Sequence, residues 1–268
     1  MIFPLPWERA GERVARAFLI AIICMSSIAF AATPPRPSPP KNGSEFQSAD
    51  VRALQSDDFA NPMALWVERG KAFWSRPYQG RSCAGCHGDA ARSMKGVAAR
   101  YPRYDAGAGE VIDLSRRING CVVGGLGAKR LDAESDDLLG LEAYVALQSR
   151  GMPMNVSIEG AAHATWEKGR ALYFTRIGQL NLACTNCHDA SWGKTLLAET
   201  VSQGQPTGWP AYRLEWQRPG SLQRRLRACF NGVRAAMPPY GSPDLVALEL
   251  YLAWRAQGLP MEAPAVRR

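Results

Sequence analysis

Cys83-Ala84-Gly85-Cys86-His87 and Cys184-Thr185-Asn186-Cys187-His188 are two copies of Cys-x-x-Cys-His in one chain. The pattern is the attachment signal for c-type haem. Two thiols one helical turn apart form thioethers to the two vinyl groups, and the histidine directly after the second falls beneath the iron as its proximal ligand. A redox-active Cys-x-x-Cys has no need of that histidine, and a zinc site built from both pairs is the remaining competitor. Of 3 histidines in the chain, two follow these cysteines. The third, His163, lies in a helical stretch and reads as a surface or packed residue. The sequence therefore predicts two covalently bound haem c groups, one on Cys83 and Cys86 with His87 at the iron, the other on Cys184 and Cys187 with His188.

Outward from the motifs, the chain has 268 residues, 46% of them apolar and 21% charged, with a net charge of +8. That composition is globular, and the length suits two small domains. Arg9, Arg13 and Arg16 precede an apolar run from Ala17 to Ala32 that closes in Ala29-Phe30-Ala31. Residues 1–32 thus read as a secretory signal peptide, and export to the periplasm follows. The run is shorter than the roughly 20 residues a membrane span needs, so no span is expected after signal removal. Bulky Ile23 before Cys24 argues against a lipoprotein. In an oxidising compartment six remaining cysteines would suggest three disulfides, but the haem spacing argues against that. Residues 33–58 open with five prolines between Thr33 and Pro40 and read as an extended, exposed tether.

The chain also repeats itself. Trp66-Val67-Glu68-Arg69-Gly70-Lys71-Ala72-Phe73 stands before the first motif and Trp166-Glu167-Lys168-Gly169-Arg170-Ala171-Leu172 before the second. Downstream come Arg116-Arg117-Ile118-Asn119-Gly120-Cys121 and Arg224-Arg225-Leu226-Arg227-Ala228-Cys229. Each half closes on a helix: Ser135 caps a stripe of Leu138, Leu141 and Val145 stopped by Gly151, and Ser242 caps Leu245, Leu248 and Leu252 stopped by Gly258. Pro243 suits the first helical position. The predicted architecture is mainly α, two tandem cytochrome c-like haem domains over residues 59–155 and 156–268. Little strand-like alternation is present, although Leu180 to Ala183 suits a short extended piece.

A haem with a proximal histidine leaves one axial position for a second ligand. Cys121 and Cys229 are the candidates that obey the repeat, and a thiolate there would lower the iron's reduction potential. Two alternatives stand beside them. Cys121 and Cys229 could form a disulfide across the halves, and Met237-Pro238 is similar to the distal methionine of electron-transfer cytochromes c. The first half has Lys129-Arg130 at the matching place.

On these residues the chain resembles the dihaem SoxA subunits of SoxAX thiosulfate-oxidising cytochromes, the L-cysteine S-thiosulfotransferases, over essentially all of its length after the signal. The most specific part is Arg225-Leu226-Arg227-Ala228-Cys229 with Phe230-Asn231-Gly232 after two haem motifs. The resemblance implies that Cys229 ligates the second haem and is the catalytic sulfur, often carried as a persulfide. It makes Arg225 the substrate-binding arginine, Cys121 the distal ligand of the first haem, and His87 and His188 the proximal ligands. It further implies an enzyme that oxidatively joins thiosulfate to a cysteine of the SoxYZ carrier. Two electrons would leave through a monohaem SoxX subunit to a cytochrome c. On a helix, Arg225 and Cys229 share a face at i and i+4, and a guanidinium both grips sulfonate oxygens and favours a thiolate. Arg224 and Arg227 are reserve candidates, and Arg213, Arg218 and Arg234 add charge nearby. Arg117 stands equally four residues before Cys121, so spacing does not choose between the halves. The rival reading is a dihaem electron carrier with Met237 on the second iron and arginines that dock an acidic redox partner; a dihaem peroxidase would need an open distal site. Nucleic-acid binding does not suit an exported haem protein, and a pI of 9.3 fits docking of anions.

Overall fold

The computed structural model describes residues 39–268, all within one compact unit, Arg36–Arg268. The expected signal peptide and residues 33–38 lie outside the described residues.

Two helix crossings organise the unit. In the first half, α1 (Ala49–Ser56) leads to α2 (Ala64–Ser75), the motif helix α3 (Cys83–His87), a short α4 (Ala90–Ser93) and the hairpin β1 (Arg103–Asp105) with β2 (Glu110–Ile112). Then come α5 (Leu114–Gly120), which widens into a π-type turn over Cys121–Gly125, and α6 (Asp136–Leu147). Helices α2 and α6 pack closely because Gly70 lets the backbones meet: a Cβ there would stand 2.0 Å from the Gly140 carbonyl oxygen. In the second half, α7 (His163–Phe174) precedes the motif helix α8 (Cys184–His188), the two-residue pair β3 (Thr195–Leu196) and β4 (Glu199–Thr200), β5 (Ala211–Arg213), β6 (Arg218–Gly220), α9 (Leu222–Gly232) and α10 (Pro243–Arg255). Helices α7 and α10 meet in the same way, with Gly169 facing the Ala247 carbonyl oxygen at 2.0 Å from a would-be Cβ.

The caps fall where the sequence places them. Ser135 Oγ and Ser242 Oγ accept from the Leu138 and Leu245 backbone N–H groups, Pro243 opens its helix, and Gly151 and Gly258 follow the ends at φ +76° and +86°. Leu138, Leu141 and Val145 are buried, as are Leu245, Leu248 and Leu252. The strands are only two or three residues long, and the expected extended piece near Leu180 is a single bridge between Ile177 and Leu182.

Two features differ from expectation. Residues 41–56 are packed, not an exposed tether. Asn42 is buried and donates to the Pro260 carbonyl, Thr207 Oγ1 donates to Asn42 Oδ1, and α1 lies on the C-terminal strand β7 (Ala265–Arg267), which joins β5 in parallel. The prolines end at Pro40, and the amphipathic Val51 face beyond them has an apolar surface to cover. The segment boundary near residue 155 is also not a break between cores. Ala98, Ala99, Val111, Ala146 and Met154 share one apolar cluster with Trp166, Tyr173 and α10. A second cluster, with Phe73, Trp74, Val122, Leu126 and Leu141, surrounds Cys83.

Candidate haem and sulfur site

Each downstream cysteine is delivered by a capped helix. Asp113 accepts from the Arg116 N–H at 2.7 Å and starts α5, and Ser221 accepts from the Arg224 N–H at 3.1 Å and starts α9. In both cases the cap stands eight residues before the cysteine and four before an arginine, which puts all three on one face.

Helix α8 is pinned on three sides. Asp189, directly after His188, accepts from Tyr173 Oη at 2.8 Å and from buried Arg255 at 2.7 Å, which ties the motif to α7 and α10. His188 Nδ1 lies 2.7 Å from the Ser202 carbonyl oxygen, so this nitrogen donates and Nε2 is left as the ligating atom. Gly204, at φ +73°, backs the ring so closely that a Cβ there would lie 3.1 Å from His188 Cγ.

Opposite His188 stands Cys229. Burial pushes the Cys229 thiol up, but a hydrogen bond with His188 and the charges of Arg225, His188 and Arg213 more than offset it, so its pKa stands below the ordinary thiol value. Cys184 goes the other way: burial first, then the neighbouring Cys229, push it up to about 12. Of the sulfurs gathered here, Cys184 and Cys187 are pushed up and Cys229 alone is pushed down. In the first half, burial and then the charge of Cys121 push the Cys83 thiol up, which brings Cys121 to the first motif. The Trp74 ring lies tilted 5.6 Å from the His87 ring and its indole N–H donates to the Gly88 carbonyl, fixing that turn.

The structure therefore sorts the expectations. Cys121 is with Cys83, and Cys229 is with Cys184, Cys187 and His188, so a disulfide between Cys121 and Cys229 is not formed; all six are free. Met237 is 47% exposed, whereas Cys229 faces the histidine. His163 is exposed, stacked on Trp166. The donor sets fit haem c: a motif histidine with a motif thiol pair, and in the second half an anchored imidazole facing a cysteine sulfur.

The arginines separate as well. Arg224 lies over the Trp216 ring at 4.2 Å and Arg227 over the Tyr240 ring at 4.5 Å, and Arg218 reaches Asp136. Arg225 instead acts on Cys229 and meets Glu199 at 3.2 Å. Its counterpart Arg117 is bound by Asp105 and by Tyr101 Oη. Glu199, Ser202 and Gly204 were not singled out in the sequence, since nothing in Glu199-Thr200-Val201-Ser202-Gln203-Gly204 marks proximity to His188.

Comparison with known proteins places the chain in a family. Residues 69–154 match the family model described as SoxA/TsdA, cytochrome c domain. The L-cysteine S-thiosulfotransferase subunit SoxA of Rhodovulum sulfidophilum is 42% identical over 85% of this chain and 80% of its own length. The chain belongs to the SoxA family. The subunit of the same name from Pseudaminobacter salicylatoxidans is 43% identical over 83% of this chain and 79% of its own. A solved structure, the crystal structure of SoxXA from P. pantotrophus, superposes with a TM-score of 0.82 at 38% identity, covering 85% of this chain and 87% of that one. The segment matched by the family model contains the first motif and Cys121, so this SoxA-family chain is a mainly α haem c protein.

Proposed function

We propose that this chain is the SoxA-type subunit of a periplasmic L-cysteine S-thiosulfotransferase. It is built as two tandem cytochrome c-like segments, each with one haem c, and is paired with a SoxX-type monohaem subunit. The observation that carries the reading is Cys229 facing His188, with its thiol pKa lowered by that histidine and by Arg225, in a protein whose relatives bear that enzyme's name.

Cys83, Cys86 and His87 with Cys121 would hold the first haem, and Cys184, Cys187 and His188 with Cys229 the second. Arg225 grips the sulfonate oxygens of thiosulfate through its planar donor fork and directs the sulfane sulfur at Cys229 Sγ. Cys229 enters as a thiolate, whose negative charge the His188 hydrogen bond and the charges of Arg225 and Arg213 stabilise. A bond forms between Sγ and the sulfane sulfur, and two electrons are released. Haem held by these residues would supply one-electron acceptor chemistry, and the final acceptor, by way of the SoxX-type subunit, is a cytochrome c. A cysteine thiolate of the SoxYZ carrier then attacks the sulfane sulfur and the Sγ–S bond breaks. Cys229 returns as a thiolate and the carrier leaves as the S-thiosulfonate. That Arg117 is held by anchored Asp105 and by Tyr101 supports the second half as the catalytic one.

Low-temperature EPR with near-infrared magnetic circular dichroism on the oxidised holoprotein tests the ligands, with sulfur-anion ligation expected at both irons. Cys229→Ala is expected to abolish thiosulfate-dependent electron release while all four thioethers form. Retained turnover, or a histidine–methionine signal from the second haem, would leave an electron carrier as the better account.

A further inference from the structure

The arginine that would receive the sulfonate already has a carboxylate on it. Glu199, on β4, places Oε2 3.2 Å from Arg225 Nη2, while its other oxygen accepts from Arg213 Nη2. Arg213, on β5, is 4% exposed and also donates to Glu215 Oε2 at 2.7 Å. One carboxylate is thus shared between a buried arginine and one that remains 32% exposed beside Cys229.

We propose that Glu199 is a positioning residue that occupies the anion site of Arg225 in the resting protein and yields it to a substrate sulfonate by shifting its carboxylate onto Arg213. This rests on the reading of Arg225 as the sulfonate ligand. Carboxylate and sulfonate compete for the same guanidinium donors, so the resting contact aims the fork while opposing the wrong anion. A carboxylate expelled from its only cation would have to be rehydrated, whereas Glu199 falls back on a partner it already touches. Its contact to Arg225 is a single one, at 3.2 Å, so one bond frees that guanidinium. The first half lacks such a device. Asp105 binds Arg117 with Oδ2, and its Oδ1 is taken by the Ala108 N–H at 2.8 Å, so that carboxylate is anchored in its own turn.

The test is Glu199→Gln, which keeps the shape and removes the competing charge. An ion pair at this exposure is worth roughly a two- to fivefold change in affinity. In the holo-complex, KM for thiosulfate should fall by that factor with no rise in kcat. Sulfate, which has the oxygens but no sulfane sulfur, should bind tighter by the same factor in calorimetric titration. Unchanged or weakened binding of both anions overturns the proposal, since a residue that merely supports the fold can only loosen the site. Arg225→Ala separates the two claims. If it leaves sulfate and thiosulfate affinity intact, the reading of Arg225 has failed. If it weakens them while Glu199→Gln fails to tighten them, the role of Glu199 alone is refuted.

Discussion

Replacing Gly204 by alanine tests whether this residue is the support behind His188. The substitution carries two separable costs. At φ +73°, a residue with a Cβ pays about 1 kcal/mol for the left-handed backbone. The new Cβ would also stand 3.1 Å from His188 Cγ and 3.2 Å from Nδ1, inside the roughly 3.5–4.0 Å at which such atoms rest. The ring has little room to retreat, because Nδ1 is tied to the Ser202 carbonyl. The flanking chain is also fixed, with Gln203 and Thr207 fully buried. Overpacking of this kind costs about 1–3 kcal/mol, so the total is about 2–4 kcal/mol. For a chain of this size that lowers Tm by roughly 5–15 °C. Gly193→Ala is the control: its φ is +82° but the added Cβ meets nothing within 4 Å, so it should lose only the backbone share. Thermal unfolding followed by circular dichroism and Soret absorbance measures both, and EPR of the oxidised protein should show one haem's ligand field shifted and the other unchanged. Equal losses in the two variants, with an unaltered EPR spectrum, would refute the idea that Gly204 sets the histidine.

Arg225→Ala should raise KM for thiosulfate on the order of ten- to a hundredfold, the worth of charge-assisted hydrogen bonds, whereas Arg117→Ala should leave KM unchanged in steady-state assays. Gly169→Ala, with its Cβ 2.0 Å from the Ala247 oxygen and 2.9 Å from Tyr251 Cβ, should separate α7 from α10 and cost upward of about 3 kcal/mol, read as a lowered Tm. Burial, then the charges of neighbouring carboxyls, hold Glu142 and Glu249 well above the ordinary value of 4.5, so both favour folding in their protonated form. That contribution is complete below pH 4.5 and is lost as pH rises through the folded pKa, so the Tm of Glu249→Gln should gain on the wild type with increasing pH, and a difference independent of pH would count against burial as the cause.

What was legible in the sequence was the part fixed by local chemistry. The Cys-x-x-Cys-His motifs need no tertiary context, and Ser135, Ser242, Pro243, Gly151 and Gly258 are signals whose physics acts within one helical turn. The pairing of Cys121 with the first motif and Cys229 with the second was legible from the repeat alone. The packing of residues 41–56 was not, because Asn42 finds its partners at Thr207 and Pro260, more than 160 residues away. Nor was Glu199, which reaches Arg213 and Arg225 across separations of 14 and 26 residues. Six arginines crowd the region of Cys229, and composition could not rank them. The structure does so by giving Arg224 and Arg227 aromatic rings to cover and Arg225 a sulfur to face.

The two halves present the same local geometry and differ in how their acids are placed. Asp113 and Ser221 cap equivalent helices, and an arginine and a cysteine follow at the same intervals. An arginine bonded to an anchored aspartate and a tyrosine hydroxyl must give up those contacts before it turns the same donors to an incoming anion. An arginine that shares one glutamate with a buried neighbour keeps part of its charge available. The same positive charge that would receive the sulfonate also lowers the pKa of Cys229, so a single residue couples anion binding to thiolate formation. The partners of one carboxylate therefore distinguish Arg117 from Arg225, with no change in the spacing of cap, arginine and cysteine.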